Sequence, residues 1–184
     1  NGNLKYSEVD LELNPNEFIV FKTELGKTVS VGKRSGNEIR LVKRYNPWQI
    51  KSRNDEQTMA LDLLMDNTCD LVTLIGEAGT GKSLIAIAAA LELVLQKKSY
   101  EKLIIYKPIA AVGGQELGFM PGDLREKLDP WFTSTWDTFE YLFGDKKGPS
   151  WKKDVEMYIE KGQIELSAMT YVRGRSVKNA IILI

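Results

Sequence analysis

The feature that most constrains this 184-residue chain is a glycine-rich stretch between two apolar runs. The run before it, residues 71–75, is apolar and partly β-branched, and the run after it, residues 84–95, is rich in alanine and leucine. The stretch has the residue types and spacing of a P-loop, Gly76-Glu77-Ala78-Gly79-Thr80-Gly81-Lys82-Ser83. A strand, a glycine-rich loop and a helix in this order bring backbone N–H groups together at a helix N-terminus. The sequence therefore predicts an α/β fold with a site for a nucleoside triphosphate.

The residues of this loop have separate expected roles. Lys82 is expected to reach the β- and γ-phosphates, and the Ser83 hydroxyl is expected to ligate Mg²⁺. A lysine at the positive end of a helix dipole is favourable when an anion is bound there. The sequence thus predicts ATP and Mg²⁺ as ligands, Lys82 and Ser83 as catalytic groups, and a nucleotide-binding segment made of Gly76, Glu77, Ala78, Gly79, Thr80, Gly81, Lys82, Ser83 and Leu84.

Gln57, upstream of the loop, has two interpretations. It has the spacing of the third helical residue after an N-cap at Asn54, from which its side chain would reach back to the start of the helix. Its amide can also donate and accept at once, which matches the paired donor and acceptor that adenine presents. The two interpretations are compatible, and the spacing favours neither.

The remaining pattern predicts two parts. Residues 1–46 contain short β-branched runs separated by glycines, which is typical of a small β-hairpin appendage. Residues 47–184 alternate between helical and strand patterns, which predicts a parallel sheet with helices on both faces in a P-loop NTPase of the RecA or helicase-like type. The predicted strands are 71–75, 102–106, 163–166 and 180–184, and the predicted helices are 54–65, 84–95, 151–160 and one that starts at 123 and bends or ends at Pro130.

Composition excludes several classes of protein. Lysine plus arginine and aspartate plus glutamate both number 25, so any nucleic-acid contact must come from a local patch. The single Cys69 cannot form an intramolecular disulfide, and we expect a cytoplasmic protein. No apolar run has membrane-spanning length, so no membrane partner is expected. The chain begins at Asn1 and stops within an apolar run, so we expect a fragment that ends before the acidic magnesium ligand and hydrolyses ATP poorly.

A compact basic turn lies near the end of the chain. Arg173 and Arg175 are separated by one glycine, and Tyr171 precedes them. A solvated loop is one interpretation, because arginine is mostly exposed. The other is phosphate contact, either to nucleic acid or to the nucleotide of a neighbouring subunit in a ring of identical copies. Lys107, at the end of a predicted strand, is similarly placed to face a ligand.

Taken together, these residues resemble the PhoH family of P-loop ATPases, in particular the portion that follows the nuclease domain in PIN–PhoH fusions. The similarity rests on several ordered motifs: Trp48-Gln49-Ile50, Arg53-Asn54-x-x-Gln57, residues 71–83, Lys107-Pro108-Ile109, Met120-Pro121-Gly122-Asp123-Leu124-x-Glu126-Lys127-Leu128-x-Pro130, and Tyr171-x-Arg173-Gly174-Arg175. The resemblance implies a helicase-like RecA core in which Gln57 reads adenine and the loop holds phosphate and magnesium. It also implies ATP hydrolysis linked to RNA unwinding or remodelling, with single-stranded RNA as a partner.

The chain departs from the family pattern at two places. Lys107 stands where the family usually has arginine, which keeps the charge but loses the bidentate fork. The acidic pair and the later sensor segment of the family have no counterpart in this sequence. Two other functions remain open: a small-molecule P-loop kinase, which would need a lid with arginines that residues 108–122 lack, and a non-catalytic module whose partner binding is gated by nucleotide.

Overall fold

The computed structural model describes residues 4–5, 12–108, 124–144, 150–172 and 174–184, with side chains described from residue 12 onward except in 124–129. The described chain divides into two compact units, Asn1–Ile85 and Ala86–Ile184. Arg173 and residues 109–123, which contain most of the predicted loop and the predicted start of a helix at 123, lie outside the described residues. The predicted boundary between residues 46 and 47 stays a prediction.

The first unit begins with an antiparallel sheet of four strands in the order β1-β4-β3-β2. The glycines of both hairpin turns, Gly26 and Gly36, have φ of 77° and 59°, a left-handed conformation that is strained for other residues. The predicted β-hairpin appendage is therefore confirmed, with strands β1 Leu4–Lys5, β2 Phe18–Lys22, β3 Thr28–Ser35 and β4 Glu38–Leu41.

Helix α1, Asp55–Leu64, follows the sheet and confirms the prediction for residues 54–65. Asn54 is its N-cap, and the Asn54 side chain accepts a hydrogen bond from the Gln57 backbone N–H at 2.8 Å. Asp55 and Glu56 place negative charge in the first turn, where the helix dipole is positive. Local sequence alone thus accounts for where α1 begins.

Buried ion pairs attach α1 to the sheet. The Lys33 ammonium on β3 lies 2.8 Å from an oxygen of Asp66 and 3.4 Å from an oxygen of Asp62. Arg40 on β4 donates two hydrogen bonds to the Asp62 carboxylate, at 3.0 and 2.7 Å. Lys33 is 1% exposed and Asp62 is 0% exposed, so each charge is compensated by its partner and not by water. This cluster of Lys33, Arg40, Asp62 and Asp66 is called the sheet–helix cluster below.

The predicted strand at 71–75 is wrong. Residues 71–77 have no regular secondary structure and pair with none of the described strands, and the Leu71 and Ile75 side chains are 86% and 93% exposed. Apolar and β-branched residues favour an extended backbone, but a strand forms only where a neighbour supplies its hydrogen bonds. A segment-level pattern cannot reveal whether that neighbour is present.

The second unit contains a parallel sheet of three strands. Strand β5, Lys102–Lys107, lies at its centre and pairs in parallel with β6, Ile164–Ala168, and with β7, Ala180–Leu183. Leu103 and Ile104 on β5 are completely buried, as expected of a central strand that is covered on both faces. The predicted α/β class with a parallel sheet is confirmed.

Three helices complete the described fold. Helix α2, Lys82–Leu91, continues as a π-helical turn over Glu92–Gln96, and α4, Trp151–Glu160, has the predicted bounds. Helix α3, Leu124–Phe143, continues through Pro130, so the helix does not end there. Phe132 and Phe139 of α3 are buried, so aromatic side chains of this helix belong to the core. Among the described helices, none combines the length and the apolar character needed to cross a bilayer.

Replacing Asp66 with asparagine is expected to lower the free energy of unfolding at neutral pH by about 1.5–3 kcal/mol, because the Lys33 ammonium loses its nearest charged acceptor. The Lys33 ammonium, and then Thr68, hold the pKa of Asp66 far below its usual value by hydrogen bonding. A carboxyl with a lowered folded pKa stabilises the protein above its unfolded pKa, about 4, and loses that contribution as the pH falls further. The stability difference between wild type and Asp66→Asn should therefore narrow below about pH 4.

Urea unfolding of wild type and Asp66→Asn between pH 7 and pH 2.5 measures this difference. Asp70→Asn, at an exposed aspartate of the same segment, is the control and should change stability little at any pH. A difference between wild type and Asp66→Asn that stays constant over the whole range would contradict the prediction.

Candidate nucleotide-binding site

The glycine-rich loop ends directly in helix α2, whose first residue is Lys82. Gly79 and Gly81 have φ of 79° and 84°, so the loop reverses direction through two left-handed positions just before the helix. The Thr80 hydroxyl donates a hydrogen bond to the Glu77 carbonyl at 2.8 Å, which closes the loop on itself. Such a turn directs successive backbone N–H groups to one side and forms an anion-binding concavity at a helix N-terminus.

Lys82 folds over this loop. Its ammonium donates to the carbonyl oxygens of Gly76 and Glu77, at 2.7 and 2.6 Å, and lies 3.3 Å from the Thr80 hydroxyl oxygen. An ammonium has three donors, and the loop supplies an acceptor for each. The loop oxygens thus offset the cost of placing a cation at the positive end of α2. Phosphate oxygens are stronger acceptors and can take over the same donors.

Gln57 joins α1 to the loop. Its side-chain Nε2 donates to the Thr80 carbonyl at 3.0 Å, and its Oε1 accepts from the Arg53 backbone N–H at 2.9 Å. The side chain therefore does reach back to the start of α1, although to Arg53 and not to Asn54, the N-cap. One amide hydrogen and one lone pair are left over on Gln57, so contact with an adenine edge is compatible with this geometry and stays a prediction.

Most residues of the loop are exposed. Ser83 is exposed in the first turn of α2, while Glu77 and Ala78 are exposed and Leu84 is half-buried. A Cβ atom added to Gly81 would lie 3.1 Å from Gln57 Nε2, so a side chain there would press on the link to α1. Across the residues that the structure describes, no three acidic or cysteine side chains gather into a metal site. A hydroxyl is a suitable ligand for Mg²⁺, which usually keeps several water ligands, and the predicted role of Ser83 in binding it stays a prediction.

Arg175, in the second unit, contacts a carboxylate of its own chain. Its guanidinium donates two hydrogen bonds to Glu165 on β6, the second at 3.1 Å. This pairing lowers the pKa of Glu165 and raises the pKa of Arg175. Lys107 is half-buried at the end of β5. Arg175 is thus held by Glu165, and its predicted contact with phosphate, like that of Arg173, stays a prediction.

Comparison with known proteins agrees with this geometry. The family described as PhoH-like protein matches residues 49–184, which includes α1, the loop and the whole of the second unit. The chain belongs to the PhoH family. The resemblance drawn from the motifs is confirmed, and membership of the PhoH family supports a nucleotide-binding, ATPase-like domain.

The relatives are longer than this chain. The chain is 41% identical over 175 residues to Protein PhoH2 of Bacillus subtilis, which covers 92% of this chain and 39% of that protein. It is 39% identical over 135 residues to Protein PhoH2 of Thermobispora bispora, covering 73% of this chain and 29% of that protein. It is also 34% identical over 115 residues to the PhoH-like protein of Synechocystis, covering 62% of this chain and 32% of that protein. The chain therefore spans about two fifths or less of these PhoH proteins.

The sheet–helix cluster was not predicted from the sequence. Asp55 and Asp62 are seven residues apart and so share the side of α1 that faces the sheet, but Asp66 lies beyond the end of the helix, where helical spacing does not apply. In the sequence, the basic partners Lys33 on β3 and Arg40 on β4 have no feature that distinguishes them from solvent-exposed residues of a strand. Only the packing of the sheet on α1 shows that they are paired.

Replacing Gly81 with alanine is expected to weaken nucleotide binding by about tenfold. The substitution strains a left-handed residue by about 1–2 kcal/mol and brings a methyl group against Gln57, so the loop must shift and then be restored when phosphate binds. Isothermal titration with an ATP analogue that is not hydrolysed measures the Kd.

Gly26→Ala is the matched control for Gly81→Ala. Gly26 has a similar φ of 77°, and no atom lies within 4 Å of a Cβ added there, so this variant should lower Tm without changing the Kd. Gly81→Ala with the wild-type Kd would show that the loop conformation does not matter for binding.

Proposed function

We propose that this chain is the ATP-binding core of a PhoH-like ATPase. The P-loop carries this proposal, because its left-handed glycines, the folded-over ammonium of Lys82 and the exposed Ser83 meet at the N-terminus of α2. Each of these features suits a polyphosphate better than a neutral ligand. The backbone supplies N–H donors, the helix supplies a positive end, and Lys82 supplies a mobile cation.

The residues of the chain would have separate roles in binding ATP and in transferring its terminal phosphoryl group. Backbone N–H groups of the loop bind the phosphates, and Lys82 exchanges its loop acceptors for oxygens of the β- and γ-phosphates. The Ser83 hydroxyl ligates Mg²⁺, which offsets negative charge on the phosphates when it is bound. Lys82 then stabilises the charge that builds up as the terminal phosphoryl group is transferred. Gln57 orients the adenine base with the amide hydrogen and lone pair that remain on its side chain.

We expect this chain by itself to bind ATP and to hydrolyse it slowly. Hydrolysis requires an acidic group that helps to hold magnesium and a polar group that orients water. In the full-length protein, we propose that hydrolysis is coupled to RNA unwinding or remodelling in the cytoplasm, with single-stranded RNA as a partner. The family resemblance supports this coupling.

Replacing Lys82 with alanine is expected to weaken ATP binding by about thirtyfold or more, because charge-assisted hydrogen bonds to phosphate are lost. Replacing Gln57 with alanine should weaken ATP binding and reduce the preference for ATP over GTP. Magnesium-dependent titrations of ATP and GTP measure both effects.

Lys22→Ala is the control for Lys82→Ala, because Lys22 is an exposed lysine at the end of β2 and should leave both affinities unchanged. If the wild type binds neither nucleotide, the proposed function is wrong. If Gln57→Ala weakens ATP and GTP equally, Gln57 supports the loop but does not read the base.

Removing both arginines of the basic turn, Arg173→Ala with Arg175→Ala, should reduce ATP turnover by the full-length protein while the Kd for ATP stays the same. An arginine supplied across a ring interface stabilises the charge that develops in the transition state. This stabilisation is larger in the transition state than in the ground state, so the arginines affect turnover and not the Kd. A phosphate-release assay beside the titration separates the two quantities. An unchanged rate of phosphate release would exclude this role for Arg173 and Arg175. Transfer of labelled γ-phosphate to a metabolite instead of water would identify the protein as a kinase.

A further inference from the structure

Helix α1 makes contacts of different kinds on two of its sides. An α-helix advances by about 100° per residue, so Asp55 and Asp62 lie within about 20° of each other around the axis. Gln57 lies about 140° away from Asp62 by the same measure. The aspartates contact the N-terminal sheet, whereas Gln57 contacts the P-loop. The helix is therefore the element between the sheet and the loop.

The sheet holds α1 at both ends. At the first turn, the Thr28 hydroxyl donates a hydrogen bond to Asp55 at 2.7 Å. Toward the last turn, Arg40 contacts Asp62 through two hydrogen bonds, and just beyond the helix Lys33 contacts Asp66. A helix of 10 residues is about 15 Å long, so these contacts are well separated along the axis. Two such attachments fix the position of the helix and its rotation about its own axis.

The polar character of these attachments matters. Apolar packing is tolerant of small rotations and shifts, because dispersion contacts have little directional preference. Hydrogen bonds and a bidentate guanidinium–carboxylate pair are directional, so they weaken when the donor and acceptor atoms are displaced by a few tenths of an ångström. Since Lys33 and Asp62 are almost completely buried, any rotation of α1 would leave a charge without a partner. The sheet therefore determines where Gln57 points.

The loop continues into α2 on its C-terminal side, but the segment before it has no support from a described strand or helix. Residues 71–77 belong to no described strand or helix, and residues 75–80 are exposed. The bond from Gln57 to the Thr80 carbonyl links this segment to a helix that is held on its other side. The position of the loop therefore depends on α1, and the position of α1 depends on the sheet.

We propose that Thr28, Lys33 and Arg40 of the N-terminal sheet are positioning residues for the nucleotide site, acting through α1 and Gln57. This inference rests on the proposed function, since it concerns the affinity of the same loop. It assigns the sheet an indirect role in nucleotide binding, which acts through α1 and Gln57. Thr28 carries the clearest test, because its hydroxyl can be removed while the shape of the side chain is kept.

Thr28→Val removes the hydroxyl that holds Asp55 and preserves the β-branched side chain on β3. It is expected to raise the Kd for a non-hydrolysed ATP analogue about threefold, as loss of one hydrogen bond in a positioning chain would. In a Gln57→Ala background the same substitution should have no further effect, because its path to the loop is already cut. Thr28→Ser keeps the hydroxyl and should restore the wild-type Kd.

Thr23→Val is the matched control. Thr23 lies in the hairpin turn of the same sheet, and its hydroxyl accepts a hydrogen bond from the Lys27 backbone N–H without contacting α1. Thr23→Val should therefore leave the Kd unchanged, whatever it does to Tm. The proposal would be overturned if Thr23→Val and Thr28→Val changed the Kd equally. It would also be overturned if the effect of Thr28→Val on the Kd persisted fully in the Gln57→Ala background.

Hydrogen exchange gives a readout that needs no nucleotide. Amides of residues 78–82 should exchange faster in Thr28→Val than in Thr23→Val or wild type, and equal exchange would overturn the proposal. If Thr28→Val does not fold, Arg40→Lys replaces it, since lysine keeps the charge but loses the two-pronged contact with Asp62. If the wild type binds no nucleotide while the loop amides respond as expected, the proposed function fails and the positioning chain stands.

Discussion

The first unit depends on the Asp62 carboxylate, which is completely buried and accepts hydrogen bonds from Arg40 while Lys33 lies within ion-pair distance. A buried carboxylate without such partners would be costly enough to move the helix or to take up a proton. Asp62 therefore allows one arrangement of sheet and helix. The orientation of Gln57 and its link to the loop follow from that arrangement.

Residues with strong local preferences could be predicted from the sequence. The loop glycines, the N-cap Asn54 and the hairpin glycines specify backbone geometry within a few residues, and the structure shows each in the expected place. Helices α1 and α4, strands β2 to β4 and the strands of the parallel sheet follow from the pattern of apolar residues, whereas β1 was not predicted. Helix α3 continues past Pro130, so one of the two predicted outcomes, an end of the helix there, is wrong. Proline removes one hydrogen bond from a helix, but the aromatic residues after it are buried, and that burial outweighs the local loss.

Features that depend on distant partners could not be predicted. The ion pairs join residues on β3 and β4 to α1, and nothing near Lys33 in the sequence indicates that its ammonium is buried. The contact between Gln57 and Thr80 connects residues 23 positions apart, and the predicted role of Gln57 in reading adenine gave no reason to expect it. The strand predicted at 71–75 failed for the converse reason, since its residues suit a sheet but no described strand lies beside them.

The unpaired segment at 71–77 has a consequence for handling the protein. A backbone segment that pairs with none of the described strands, together with the exposed side chains of Leu71 and Ile75, allows a strand of another polypeptide to be added. The formal net charge is zero, so repulsion between copies does little to prevent such association. Self-association through this segment will therefore increase with concentration, and a charged substitution at Leu71 is expected to oppose it.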